Sequence, residues 1–519
     1  MEATSFTRGA KRKYAAEHTE RTPPNSGDAE SRDKSSFGAT RPTAHGPGER
    51  LLEEAAPVLT KPSASPQVRD ESYFKNLYST EPDFYRLGMK YPEFRGILKE
   101  NVYLDFTDPA AVMQLTKALL KEDFNLQIDL LPDRLCPPVP NRHNYILWLK
   151  ELLDSTSSSY FDQYEPERSV TGLDIGTGAS LIYPLLGCIQ RPRWRFIATD
   201  VDPVSLAGAR RNAAINHLTP RIRIVHRAAS DALIPLNELD ISHLDFVMIN
   251  PPFYASEAEL LNLAAQKSHP PHSACTGAPV EMVCEGGEVE FVKRMINESL
   301  VLKERVQWYT AMLGKQSSLE DLVNVLRGHG ISNFAVTTFV QGTKTRRWAL
   351  GWSFSTRRPS LYASRGSISS ALKRILPPAT EVSINIPATN SHAGVIPLLG
   401  KLICDTIAAM NLRSWVWEER CLRGVGFADG NVWSRAYRRG QAAKIALAEQ
   451  NNTNSPLSLT LCPFGFSIII HTGGRDDSPS GRPTVILRWL QGIDESLFES
   501  FSGVIRRCLR PDSARSSPW

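Results

Sequence analysis

Between residues 169 and 354 short apolar runs alternate with stretches of helical period, regularly enough to predict the elements one by one. Strands are expected over 169–174, 194–199, 222–226, 244–249, 307–313, 334–339 and 347–354, with helices over 179–188, 203–217, 288–302 and 318–328. Strand and helix in turn, joined by short connections, imply a parallel doubly wound sheet, here closed by an antiparallel hairpin. Upstream, a helical period covers 109–122, an alternating run over 124–131 predicts a short strand, and a further helix is expected over 146–154. After residue 375 the pattern changes to strands at 381–386, 414–419, 422–427, 432–438, 457–471 and 484–492 with helices at 395–410 and 495–509. That order predicts an α+β module with a mainly antiparallel sheet.

Residues 1–70 are rich in Ser, Thr, Pro, Gly, Glu and Arg and poor in aromatics, so they cannot bury enough surface to offset ordering entropy. The domain plan is therefore a disordered tail at 1–70, an α/β domain at 71–355, a basic linker at 356–375 and the α+β module at 376–519. From Ser72 the texture changes: Tyr73, Phe74, Tyr78, Phe84, Tyr85, Tyr91 and Phe94 arrive among Lys75, Arg86, Lys90, Arg95 and Lys99. Rings among cations suit single-stranded nucleic acid, whose bases stack and phosphates pair. Amphipathic helices with the rings in a core explain the same spacing, and that reading is preferred for most of them.

Composition adds limits rather than an answer. The 519 residues carry a formal net charge of +5, too small for their length to argue for nucleic acid by itself. Eight cysteines lie scattered without C-x-x-C spacing, as expected of free thiols in a reducing compartment. No apolar run reaches the roughly 18 residues of a membrane span and no apolar signal core opens the chain, so an intracellular protein without a membrane partner is expected. Lys11-Arg12-Lys13 is a short basic run that suits nuclear import or a solvated tail equally.

The candidate chemistry sits where the strand 244–249 stops. Pro251 forces Asn250 out of the helical region, and neither Pro251 nor Pro252 donates a backbone hydrogen bond. An amide side chain, bare carbonyls and the ring of Phe253 are thus presented at a strand end, the edge where parallel α/β sheets bind ligands. An aromatic exocyclic amine is a poor nucleophile because its lone pair is delocalised. The Asn250 side-chain oxygen and the Pro251 carbonyl can accept its hydrogens and aim that lone pair at an electrophile, while Phe253 stacks on the base. Upstream, the Gly176-x-Gly178 turn follows a predicted strand headed by Asp174, and Asp200 ends the next strand, where a carboxylate can accept from ribose hydroxyls. A dinucleotide fold would want a third glycine near position 181, which is Leu181. An S-adenosylmethionine site is therefore expected, with no metal.

Asp174-Ile-Gly-Thr-Gly-Ala-Ser180, Tyr183-Pro-Leu-Leu186, Asn250-Pro-Pro-Phe253, Glu285-Gly-Gly-Glu288, Met312-Leu-Gly-Lys315 and Arg347-Trp-Ala-Leu350 occur in this order. Over about residues 72–355 they resemble the family of methyltransferase-like protein 16 and RlmF. The resemblance implies a class I (Rossmann-like) S-adenosylmethionine-dependent methyltransferase fold and RNA adenine-N6 methylation, with U6 small nuclear RNA as substrate in the nucleus. It implies that Arg142 meets the cofactor carboxylate, Gly176 and Ser180 its methionine end, Asp200 its ribose, and Asn250 both cofactor and target amine. Asp174 and Gly178 complete the expected cofactor set, and one further polar contact falls on Ser230 or Asp231. Lys315, Lys344, Arg346 and Arg347 are the expected RNA phosphate contacts, with Arg435, Arg438, Arg439 and Lys444 as a second basic patch. Two other functions suit the same residues: a protein glutamine-amide methyltransferase, since Asn-Pro-Pro-aromatic suits any planar nitrogen, and a non-catalytic RNA-binding or splicing factor that keeps the fold.

Overall fold

The computed structural model describes residues 69–256, 258–259, 277–341, 345–366, 370–386, 392–437, 439–440, 462–472 and 483–510. The first domain is built on seven strands: β1 (Val170–Ile175), β2 (Trp194–Asp200), β3 (Ile222–His226), β4 (Leu244–Ile249), β5 (Val306–Leu313), β6 (Phe334–Gln341) and β7 (Thr345–Trp352). Their order across the sheet is β3-β2-β1-β4-β5-β7-β6. The strands β1 to β5 run parallel, and β7 inserts antiparallel between β5 and β6. This is the expected class I methyltransferase sheet, with each strand found within a few residues of its predicted place.

Strand β4 shows why the sheet is buried on both faces. Successive side chains point to opposite faces, so Phe246 and Met248 enter one layer and Val247 and Ile249 the other, all of them buried. The first layer is completed by α1 (Pro109–Phe124), α2 (Val139–Ser155), α3 (Ile182–Gln190) and α4 (Pro203–Ile215). The second is completed by α5 (Gly287–Leu302) and α6 (Gln316–Gly328), through Val292, Met295, Ile296, Leu319, Leu322 and Leu326. Each such side chain contributes about 1.5–3 kcal/mol on burial. Upstream, Phe74 is buried and stacks on Phe124 with centroids 5.7 Å apart, and Phe94 is buried beside Phe84. The Tyr78 hydroxyl donates to Asp123 Oδ2 at 2.7 Å. These rings are core, as preferred, whereas Tyr85 is exposed.

Two predicted strands are absent. Over 124–131, α1 runs through Phe124 and ends on Asn125 in the left-handed region, φ +54°. The alternation beyond it is real, since Leu126, Ile128 and Leu130 are buried. Its backbone partners, however, are side-chain amides of the α4 region: Gln127 N donates to Asn216 Oδ1 at 2.9 Å and Asp129 N to Asn212 Oδ1 at 2.7 Å. Over 432–438, Val432 and Trp433 are buried in a turn, and residues 435–437 are helical. Trp433 packs on Phe464 and Phe501 and donates its indole N–H to Ser500 Oγ at 3.0 Å, which anchors the chain without a strand partner.

The segment 356–375, expected as a linker, is stitched into the structure. It carries α7 (Leu361–Arg365), whose Ala363 carbonyl accepts from Trp148 Nε1 at 2.8 Å. Arg358 is buried, lies over the Trp489 ring at 4.2 Å, and its backbone N donates to Leu490 O at 2.9 Å. Beyond it, β8 (Glu381–Asn385), β9 (Ser414–Glu418), β10 (Arg423–Ala428), β11 (Phe464–His471) and β12 (Thr484–Gln491) form an antiparallel sheet ordered β8-β12-β11-β10-β9. Helices α8 (His392–Ala408) and α9 (Glu495–Cys508) cover one face over a core that includes Ile403, Phe466 and Phe501. The module docks at the starting edge of the first sheet's strands. There Arg488 pairs with Asp162 and donates to Ser155 O at 2.8 Å, and Tyr160 meets Phe427 edge-on. Among the described residues no helix is long and apolar enough to cross a membrane, and no three His, Cys, Asp or Glu side chains gather as metal ligands.

Candidate active site

At the other edge of that sheet, where β1, β2 and β4 end, a cavity of about 590 Å³ opens. Its floor is the turn after β1. Gly176 and Gly178 adopt φ +68° and +64°, the left-handed region that a side chain disfavours, and nothing lies within 4 Å of where a Cβ on Gly176 would stand. Gly176 N and Thr177 N donate to Thr199 O at 2.9 and 3.0 Å, and Gly178 N donates to Asp200 Oδ2 at 2.8 Å. Asp200 is thereby held on the cavity wall, with Asp202 N donating to its Oδ1 at 2.9 Å. Asp174 lies beneath the turn, 1 % exposed, accepting from Thr177 Oγ1 at 2.7 Å. Its other oxygen is buried without a partner among the described residues, and burial pushes its acid up to about 7. Asp174 therefore props the floor and does not line the cavity.

Arg142, on α2, closes the end of the cavity beside Ser180. It is 5 % exposed, and its Nη1 donates to the Tyr183 hydroxyl at 2.6 Å. Among the described residues no carboxylate lies within ion-pair distance of it. A buried charge without a counter-ion costs several kcal/mol, so this guanidinium suits an arriving carboxylate.

The Asn250-Pro251-Pro252-Phe253 stretch leaves β4 on the same cavity, with Asn250 and Pro252 on its wall and Pro251 buried behind. The strand end is braced by Tyr145, whose hydroxyl donates to Thr310 Oγ1 at 2.9 Å, which donates in turn to Val247 O at 2.9 Å. Asn250 Oδ1 is buried with no partner among the described residues. An unmet buried acceptor costs about 1–3 kcal/mol, which a donor on a ligand would recover. Phe253 is half-buried between the turn after β5 and Arg347, whose guanidinium lies 5.4 Å from the ring centre. A Cβ on Gly314 would stand 2.9 Å from Phe253 Cδ1, so only glycine lets that turn approach the ring. Glu288, 2 % exposed at the start of α5, holds the turn by accepting from Gly314 N at 2.6 Å and Lys315 N at 3.0 Å.

A glycine turn, a buried guanidinium without an ion-pair partner and an amide oxygen without a donor, both among the described residues, thus converge on one cavity. A family model described as RNA methyltransferase matches residues 68–356. The chain belongs to this family. It is 44 % identical over 287 residues to the zebrafish (Danio rerio) RNA N(6)-adenosine-methyltransferase mettl16, covering 54 % of this chain and 58 % of that protein. It is 34 % identical over 411 residues to the U6 small nuclear RNA (adenine-(43)-N(6))-methyltransferase of Schizosaccharomyces pombe, covering 79 % of this chain and 96 % of that one. The chain spans between half and three-fifths of the length of the vertebrate relatives it matches. Among solved structures, the hMettl16 catalytic domain in complex with MAT2A 3'UTR hairpin 6 aligns at 42 % identity, TM-score 0.47, over 53 % of this chain and 94 % of that one. The N-terminal domain of human METTL16 in complex with SAH aligns at 39 % identity, TM-score 0.45, over 54 % and 97 %.

Within this family framework, Arg142, Gly176, Gly178, Ser180, Asp200, Asn250 and Pro252 line one cavity. Ser230 does not: it is exposed, while Asp231 stands on the wall. The tight turn decides between the two, because Asp231 N donates to Ala228 O at 3.0 Å and Asp231 Oδ2 accepts from Ala228 N at 2.8 Å. Of the expected phosphate contacts, Arg346 is exposed, Lys315 pairs with Glu259 at 2.9 Å, and Lys344 lies outside the described residues. Arg347 is half-buried, and burial, with the nearby Arg142 charge, pushes its pKa down. In the second patch Arg435 and Arg439 are exposed, and Arg438 and Lys444 lie outside the described residues. Sequence reasoning missed Tyr183, Glu281, Glu288 and Arg294 as site residues. For Glu288 the Glu285-Gly-Gly-Glu288 motif was the available signal, but nothing local shows that its carboxylate reaches a turn 26 residues away.

Proposed function

We propose that this chain transfers a methyl group from S-adenosylmethionine to the N6 amine of an adenine in RNA, with U6 small nuclear RNA as the substrate. The observation that carries the reading is the buried Asn250 Oδ1 at the end of β4, without a partner among the described residues, on the cavity that also holds the glycine turn. The names of the zebrafish and Schizosaccharomyces pombe relatives support the reaction, and the second supports the substrate because its match extends over 411 residues, past the catalytic domain. A nuclear place of action goes with that substrate.

The cavity residues fit S-adenosylmethionine. Arg142 supplies the missing counter-charge for its carboxylate, Gly176 and Gly178 let its methionine end approach the backbone, and Asp200 and Asp231 offer acceptors along the same wall. The bound group would supply an electrophilic sulfonium methyl. Asn250 Oδ1 accepts one hydrogen of the incoming amine, which localises the nitrogen lone pair and orients it. Phe253 offers its ring face to the base, backed on one side by the Gly314 turn. No side chain is required to remove a proton before transfer, since the alkylated nitrogen loses it readily to water. Glu288, a buried acid on the Phe253 side, is in any case occupied by two backbone donors.

The test is methyl transfer from labelled S-adenosylmethionine to a U6 transcript. Asn250→Ala should abolish product while leaving the RNA dissociation constant near its parent value. Full activity in that variant would reject the mechanism, and parent activity on a glutamine peptide instead of RNA would reject the substrate class.

A further inference from the structure

The roof of the cavity carries an acid that the reaction above does not use. Glu281 sits on the single helical turn Pro279–Met282, three residues after the cap residue Ala278. A glutamate there reaches back to the cap N–H, and Glu281 Oε2 accepts from Ala278 N at 2.9 Å. The same oxygen accepts from Leu135 N at 2.8 Å, a residue 146 positions away that stands on another part of the cavity rim. The turn is fixed from behind as well, with Tyr254 N donating to Met282 O at 3.1 Å and Cys284 N to Tyr254 O at 3.0 Å. Both of these Glu281 bonds fall on Oε2. Oε1 faces the floor, 3.6 Å from where a Cβ on Gly178 would stand.

Asp200 also lines this cavity, and each of its oxygens already receives a backbone N–H. Of the carboxylates that line this cavity, Glu281 is the one whose free oxygen lies against the Gly178 turn. Burial pushes the acid of Glu281 up and the Asp200 charge adds to this, while its two backbone donors and Arg134 oppose it. An acid in that position gains when a hydrogen-bond donor is placed between it and its neighbour.

We infer that Glu281 is a further cofactor-binding carboxylate, locked over the glycine turn by the Leu135 and Ala278 N–H groups and accepting through Oε1 a hydrogen bond from the bound cofactor. The inference rests on the S-adenosylmethionine reading above. The donor is the cofactor's ammonium group or a ribose hydroxyl, the two groups that can meet a carboxylate beside a glycine turn. Glu281 differs from Arg142 in that its own backbone donors hold it ready before any ligand arrives.

The experiment is calorimetric binding of S-adenosylhomocysteine and of 5′-methylthioadenosine, which keeps the ribose but lacks the amino-acid end, to the full chain and to Glu281→Gln. Glutamine keeps the length and one oxygen for the two backbone donors, so the roof stays folded. It removes the charged acceptor facing the floor. Losing a hydrogen bond to a charged group is expected to raise the dissociation constant of S-adenosylhomocysteine about tenfold or more. A loss for that ligand alone assigns the donor to the ammonium group, and a loss for both assigns it to the ribose. Equal dissociation constants in variant and parent for both ligands would overturn the role of Glu281. Failure of the parent to bind either ligand would overturn the cofactor reading and the inference with it.

Discussion

Glu288→Gln is the perturbation that separates holding the base from holding the cofactor. The carboxylate is 2 % exposed and meets two backbone donors, Gly314 N at 2.6 Å and Lys315 N at 3.0 Å. A glutamine of the same length satisfies one and turns an N–H₂ group towards the other, leaving a buried donor unmet. Losing one bond to a charged acceptor costs about 1.5–3 kcal/mol, part of which the turn recovers by moving away. That motion is the functional part, because the same turn packs against Phe253, where a Cβ on Gly314 would stand only 2.9 Å from the ring. If about 2 kcal/mol of the loss appears at the reacting centre, methyl transfer slows roughly thirtyfold. The cofactor site should not feel it, since Glu288 is absent from the cavity lining. Single-turnover transfer to U6 RNA and calorimetric binding of S-adenosylhomocysteine measure the two separately. A parental single-turnover rate would refute the reasoning, and so would a cofactor dissociation constant that rises in step with the lost rate.

Asp174→Asn tests the floor of the cavity by stability against pH. Burial raises the folded-state acid to about 7 from an ordinary 3.8, so the folded state resists ionisation that the unfolded chain accepts. Stability is therefore full below the unfolded value and falls as pH rises towards 7. The variant should match the parent near pH 3.5 and become progressively more stable than it up to pH 7, by on the order of a few kcal/mol, read as a widening gap in melting temperature. Coincident curves in cofactor-free protein would refute this. At the domain junction, Arg488→Ala strands Asp162 and the Ser155 carbonyl, at a cost of about 3–5 kcal/mol for a broken buried pair. Proteolysis within 356–375 should accelerate, and an unchanged cleavage rate would show that the module is held by other contacts.

What the sequence makes legible here is whatever the chain settles over a few residues. The stop at Asn250-Pro-Pro, the left-handed glycines after β1 and the acid ending β2 follow from local sterics and strand periodicity, and all three meet at one cavity. The 124–131 stretch marks the limit of that logic. Its alternation correctly reports buried and exposed faces, but periodicity does not reveal whether the backbone pairs with a strand or, as here, with the amides of Asn212 and Asn216. The choice between Ser230 and Asp231 stays open in the sequence for the same reason, since the turn is closed by a side chain that composition does not foretell. Glu281 and Glu288 were illegible for a different reason. Each acts on a backbone N–H far along the chain, at separations of 146 and 26 residues, which only the assembled fold brings within reach.

In the proposed reaction those long-range bonds make α5 the element that ties the two substrates together. At its first turn Glu288 holds the Gly314 turn against Phe253, on the base side. One turn on, Glu290 and Phe291 face the cofactor cavity, and Arg294 donates to Asp231 O and, at 3.1 Å, to Ala229 O in the wall that carries Asp231. A further turn on, Glu298 accepts from Leu233 N and Ile234 N at 2.9 Å each. Ten residues from Glu288 to Glu298 span about 15 Å of helix, and the apolar face between them, Val292, Met295 and Ile296, is buried against the sheet. The helix cannot shift at one end without carrying the other. While the Glu288 bonds are intact, a displacement of the turn behind Phe253 is therefore carried to the cofactor wall through a packed element rather than through solvent. Glu288→Gln is expected to leave cofactor affinity intact because it releases the turn from the helix and leaves the helix on the sheet.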